Sequence, residues 1–121
     1  FGSSEPERCQ YCSETRQLLE EVCALSDLLH FKPYDLEESS ELAKKYRVDS
    51  APGFVLLGHE GDREIDYGIR FKGIPAGHEF SSLVNGLVLA SKADSSLNDE
   101  TRRFLAELTS PVHLQVFVTP T

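Results

Sequence analysis

The sequence has no Met, no Trp and only three Cys, and its basic residues are few. It carries 12 Lys and Arg against 20 Asp and Glu over 121 residues, a formal net charge of −8. Because phosphate binding requires a basic face, this balance argues against nucleic acid as a partner and against a polybasic contact with a membrane. No apolar run approaches the ~20 residues that a membrane-spanning helix needs. What is left is the composition of an ordinary globular domain, 40% hydrophobic.

The absence of Met extends to position 1. Because a translated chain begins with Met, we expect a processed or trimmed chain. The opening FGSSEPERC also lacks the basic leader and the apolar stretch of a signal peptide.

Hydrophobic periodicity predicts four helices and four strands. Helices are expected over 11–27, 38–46, 78–91 and 99–108, and strands over 29–36, 54–57, 63–72 and 112–118. This order predicts an α/β fold with a mixed central sheet flanked by helices. A further strand is expected before the first helix, in the middle of the sheet, truncated so that Phe1 is its last residue. The strand 112–118 is expected to occupy that central position, within the chain or by exchange with a neighbouring copy.

Cys9 and Cys12 form a C-x-x-C motif at the start of the first predicted helix. Unpaired N–H groups and the positive end of the helix dipole stabilise a thiolate there, so the first thiol should ionise below the pKa of ~8.5 of a free thiol. Arg8 is expected to add to this effect. Two intervening residues let the second thiol resolve a mixed disulfide. Cys9 is therefore predicted to be the nucleophile and Cys12 the resolving thiol, with Cys12 the more buried.

Three other interpretations of the motif stay open. A zinc site needs four ligands, but no second C-x-x-C exists and the four His never form an H-x3-5-H pair. An inert structural disulfide closing so short a loop would constrain the unfolded chain little. An iron–sulfur cluster shared between subunits lacks supporting ligands. Cys23 lies on the apolar stripe of the helix, so it is expected to be a small buried hydrophobe rather than a second resolving thiol.

Ala51-Pro52 precedes a buried apolar strand. In this order of elements, the loop before that strand meets the N-terminus of the first helix. A cis bond at Pro52 would turn the backbone of Ala51 towards the thiols, and an extended substrate could pair with it as an added strand. Tyr11, Ala51 and Pro52 are therefore the predicted substrate-binding residues.

Three segments carry a resemblance to a known family: CQYC at 9–12, AKKYRVDSAP at 43–52 and YGIRFKGIPAGHEF at 67–80. They resemble the protein disulfide oxidoreductases of thermophilic prokaryotes, which are glutaredoxin-like proteins of two tandem thioredoxin-fold units. The resemblance implies a thioredoxin-like unit over 1–110, with 111–121 (PVHLQVFVTPT) equivalent to the first strand of a second unit. It also implies that Pro52 is a cis-proline facing the Cys9–Cys12 pair.

The same resemblance implies a cytoplasmic thiol–disulfide oxidoreductase without a cofactor or metal. Its partners would be protein thiols and disulfides, with electrons from a thioredoxin-reductase-like enzyme. The competing hypothesis, from a different class, is a redox-silent thioredoxin-fold module that binds substrates while a partner unit does the chemistry.

Overall fold

A computed structural model describes residues 1–119. The chain is a mixed α/β protein with a two-stranded antiparallel sheet. The helices and strands are α1 (Cys12–Cys23), α2 (Ser40–Tyr46), β1 (Gly53–Glu60), β2 (Arg63–Lys72), α3 (Glu79–Lys92) and α4 (Asp99–Ala106), preceded by a 3-10 turn at Pro6–Arg8. None of these helices, which are all those in the described residues, has both the length and the apolar character required to cross a membrane.

β1 and β2 form the predicted hairpin, in a register that pairs Gly53 with Lys72 and Glu60 with Arg63. The core lies where α3 and α1 cover this hairpin. Its buried residues are Phe54, Leu56 and Leu83, with Leu19, Ile69, Phe71 and Leu87 packed against them. The approach of α3 is close, because a Cβ at Gly86 would lie 2.9 Å from Leu56 Cδ1.

The first two residues lie between two segments that are distant in sequence. Gly2 forms a parallel bridge with Asp35, and its N–H donates to Tyr34 O at 2.9 Å. On the other side, Phe1 and Gly53 exchange two hydrogen bonds, of 2.8 Å and 3.0 Å. Reciprocal bonds between one residue pair are the antiparallel pattern. Phe1 and Gly2 therefore lie between the segment at 34–36 and the start of β1. That a truncated central strand ends at Phe1 stays a prediction.

The predicted strand over 29–36 is wrong as a regular strand, since only Asp35 forms a bridge. A strand requires a paired neighbour, and Gly2 is the one described residue bridged to this segment. Pro33 also lacks the N–H that a continuous ladder needs. The first helix is shorter than predicted as well. It ends at Cys23, and Leu25 beyond it is 82% exposed.

The segment 111–119 forms no strand, so the prediction that 112–118 pairs with the sheet inside the chain is wrong. Its apolar side chains are exposed, with Phe117 at 89% and Leu114 at 85%. Alternating apolar residues predict a strand only where a sheet edge is available to them. Exchange with a neighbouring copy, and the division into units at 1–110 and 111–121, stay predictions. Residues 120 and 121 lie outside the described residues.

Candidate redox site

Cys9 and Cys12 are joined by a disulfide, with their Cα atoms 5.4 Å apart. The 3-10 turn Pro6–Arg8 brings the chain to Cys9, whose N–H donates to Pro6 O at 3.4 Å. α1 then begins at Cys12, with Tyr11 as its N-cap residue. The pair therefore lies at the start of the helix, as the motif predicted, although Cys9 itself precedes the helix. Both cysteines are half-buried, so the predicted contrast in burial is not seen.

The N-terminal segment contacts both sulfur atoms. The Ser3 N–H donates to Cys9 Sγ at 3.2 Å, and a Cβ at Gly2 would lie 3.5 Å from Cys12 Sγ. A hydrogen bond to the charged form of a group favours ionisation. The Ser3 N–H therefore lies where it would stabilise a thiolate on Cys9 if the disulfide were opened. Sequence reasoning missed Ser3, because no pattern near the motif indicates that residues 1–3 lie next to its sulfur atoms.

Arg8 is paired with a carboxylate. Its Nη1 lies 2.7 Å from Glu37 Oε1 and 3.9 Å from Glu5 Oε2. The other oxygen of Glu37 accepts a hydrogen bond from Ser3 Oγ at 2.9 Å. Glu37 therefore offsets part of the charge that Arg8 is expected to contribute near Cys9, and the effect of Arg8 on Cys9 stays a prediction. Sequence reasoning also missed Glu37, because it is one of several neighbouring acidic residues.

Asp35 organises the loop that carries Glu37. Its carboxylate accepts the backbone N–H of Ser4 at 2.9 Å, of Glu37 at 2.9 Å and of Glu38 at 3.1 Å. The hydrogen bond from the Glu38 N–H is the largest cause that lowers the pKa of Asp35. Asp35 thus ties the loop after the Gly2 bridge to the N-terminal segment that carries Ser3.

The Ala51–Pro52 peptide bond is cis, as expected. The Pro52 carbonyl accepts the Gly73 N–H at 2.8 Å, which anchors the loop to the end of β2. Pro52 and Cys12 line the same cavity of about 1300 Å³. Ala51 and Tyr11 are not among its lining residues, and Tyr11 is 48% exposed. Of the predicted substrate-binding residues, Pro52 therefore shares with Cys12 the lining of this cavity, which Cys9 does not line.

α1 carries two further polar groups, the thiol of Cys23 and the hydroxyl of Thr15. Cys23 is a free, half-buried thiol, and burial raises its pKa, so it ionises less readily than an exposed thiol. This agrees with a packing role, although the residue is less buried than predicted.

Thr15 is 4% exposed, and its hydroxyl has no hydrogen-bond partner among the described residues. No pattern in the sequence indicates that this hydroxyl is buried.

Within residues 1–119, no group of three or more His, Cys, Asp and Glu side chains is arranged to hold a metal ion. No known protein family matches the chain, and no curated protein is significantly similar to it.

Proposed function

We propose that this chain is a thiol–disulfide oxidoreductase that exchanges electrons with protein disulfides through Cys9 and Cys12. The observation that carries the proposal is the disulfide at C-x-x-C spacing with a backbone N–H directed at Cys9 Sγ. A purely structural disulfide needs no donor on one of its sulfurs. A thiolate nucleophile does, because its charge must be stabilised when the bond opens.

The exchange runs in two balanced steps. The Cys9 thiolate attacks one sulfur of a substrate disulfide, forming a mixed disulfide, while the other substrate sulfur leaves as a thiolate and takes up a proton. The Cys12 thiol then gives up its proton and attacks Cys9 Sγ, which releases the second substrate thiol. The substrate gains two electrons and two protons, and the chain is left with the Cys9–Cys12 disulfide. A dithiol donor reverses both steps.

The assignment of roles follows from the surroundings of each sulfur. Cys9 Sγ receives the Ser3 N–H, whereas Cys12 is the first residue of α1 and packs against Gly2. Cys9 therefore has the better-stabilised thiolate and is the attacking sulfur. Pro52, on the same cavity as Cys12, is proposed to contact the substrate together with Ala51 and Tyr11.

The proposal extends to the fold and the family. The order in which segments lie side by side is 34–36, Phe1–Gly2, β1 and β2, with the first contact parallel and the next two antiparallel. This arrangement supports a thioredoxin-like unit, and with it membership of the tandem protein disulfide oxidoreductases. Protein disulfide substrates, a thioredoxin-reductase-like electron donor and a cytoplasmic location belong to the same proposal.

Reduction of insulin by dithiothreitol tests the activity. Wild type should accelerate the precipitation of insulin, and Cys9→Ser should leave the uncatalysed rate. Cys23→Ser is the matched control, because it removes a thiol outside the pair and should keep the wild-type rate. Cys12→Ser should accumulate a mixed disulfide with a substrate peptide, since the resolving thiol is gone. Equal turnover by wild type and Cys9→Ser would refute the proposal, and substrate binding without turnover would favour the redox-silent module.

A further inference from the structure

Glu37 uses both of its carboxylate oxygens next to the redox pair. Oε1 accepts from Arg8 Nη1 at 2.7 Å, and Oε2 accepts from Ser3 Oγ at 2.9 Å. The Glu37 side chain is 28% exposed and that of Arg8 48%. This contact is partly sheltered, unlike the fully exposed ion pairs that contribute little.

The two partners of Glu37 reach Cys9 by different routes. Arg8 is the residue immediately before it in the chain. Ser3 donates its backbone N–H to Cys9 Sγ at 3.2 Å, and its side chain is further fixed by the Glu5 N–H, which donates to Ser3 Oγ at 3.1 Å. Glu37 therefore pairs with the residue next to Cys9 in the chain and with the side chain of the residue whose N–H donates to Cys9 Sγ.

The charges around this sulfur act in opposite directions. An opposite charge nearby favours ionisation, so the guanidinium of Arg8, the residue next to Cys9 in the chain, would favour the thiolate of Cys9. Glu37 offsets it, and two more acids face the same region, with Glu5 3.9 Å from Arg8 and Asp35 accepting the Ser4 N–H. Loss of the Glu37 charge would leave the guanidinium less compensated, and a more stable thiolate makes a dithiol couple more oxidising.

We propose that Glu37 is a positioning residue that keeps the Cys9–Cys12 couple reducing by pairing with Arg8. This inference rests on the proposed function, because it concerns the balance between the dithiol and the disulfide of that same site. It assigns to Glu37 a role that neither the motif nor its position in the chain indicates.

Two substitutions with opposite effects test it. Glu37→Gln keeps an oxygen to accept from Ser3 Oγ and removes the charge, so the equilibrium with glutathione should shift towards the dithiol about threefold, or about 14 mV at about 30 mV per tenfold. The pH profile of Cys9 alkylation, followed by mass spectrometry, should move to lower pH. Arg8→Gln should move both quantities in the opposite direction.

The matched control is Glu38→Gln. Glu38 is the next residue and is exposed, and its side chain has no hydrogen bond or ion pair among the described residues, so the substitution removes the same charge without touching Arg8. The double variant Arg8→Gln/Glu37→Gln shows whether the effect runs through Arg8, in which case Glu37→Gln adds little in that background. The inference is overturned if Glu37→Gln matches Glu38→Gln, or if its full effect persists without Arg8. A wild type that never equilibrates with glutathione refutes the proposed function instead, and the alkylation profiles still decide the role of Glu37.

Discussion

Gly53 offers the sharpest test of the packing that places the Ala51–Pro52 loop. A Cβ at this position would lie 2.6 Å from Ser50 O and 3.0 Å from Val48 Cγ1. The first distance is about 0.8 Å short of the 3.4 Å at which ordinary contact begins, and a backbone oxygen cannot rotate away. Gly53→Ala should therefore displace the loop and lower the free energy of unfolding by about 1–3 kcal/mol, the usual cost of overpacking.

The measurement is urea denaturation followed by circular dichroism, together with the melting temperature, which should fall by about 4 °C per kcal/mol for a domain of this size. Gly2→Ala is the matched control, because its Cβ would meet Cys12 Sγ at an ordinary 3.5 Å, and it should stay near wild type. Insulin reduction by Gly53→Ala should also slow, since the displaced residues are those proposed to contact substrate. If Gly53→Ala is as stable as Gly2→Ala, the reasoning about the loop is refuted.

Three further predictions concern stability and association. Thr15→Val removes an unpaired buried hydroxyl at nearly constant shape, so it should raise the free energy of unfolding by about 1 kcal/mol in urea; a loss of stability would contradict this. Arg70, hydrogen-bonded to Asp66, lowers the pKa of that carboxyl from 3.8 to about 2. Its stabilisation is therefore fully present above pH 3.8 and is lost as the pH falls through about 2. Asp66 is 37% exposed, so solvent screening limits this stabilisation to a fraction of a kcal/mol. Asp66→Asn should make the urea midpoint depend less on pH in acid. Identical pH profiles for wild type and Asp66→Asn would argue against a stabilising Asp66–Arg70 pair. If segment 112–118 is exchanged between two copies, the protein should be a dimer in light scattering after size exclusion. Phe117→Asp should convert this dimer to a monomer. A monomeric wild type would exclude the exchange.

The hairpin and all four predicted helices could be located from periodicity, with errors of at most four residues at their ends. Their signals are local: the apolar run before Gly58, the alternation over 63–72, and the stripes of α1 and α3. Periodicity also predicted strands over 29–36 and 112–118, and neither segment forms a regular strand. A strand exists only through its neighbour, and no local pattern says whether a neighbour is within reach.

The same distinction holds for the redox site. The C-x-x-C spacing, the helix that follows it and the proline loop are visible in the sequence, and the structure has the disulfide and the cis bond. The groups proposed to tune Cys9 are not visible, because Ser3 reaches Cys9 Sγ from the N-terminal segment and Glu37 contacts Ser3 from another part of the chain. The ion pair of Arg8 is not visible either, because only the fold brings Glu37 to it.

The contacts that fix the N-terminal segment also place the hydrogen-bond donor of the candidate redox site. Phe1 is held by Gly53, Gly2 by Asp35, and Ser3 by Glu37, so three successive residues are each fixed by a different distant partner. The N–H that contacts Cys9 belongs to the last of them. Loosening the contact of Phe1 with Gly53 or of Gly2 with the 34–36 segment should therefore move the donor away from the sulfur and make the Cys9 thiolate less stable, even when the C-x-x-C motif and its helix are intact.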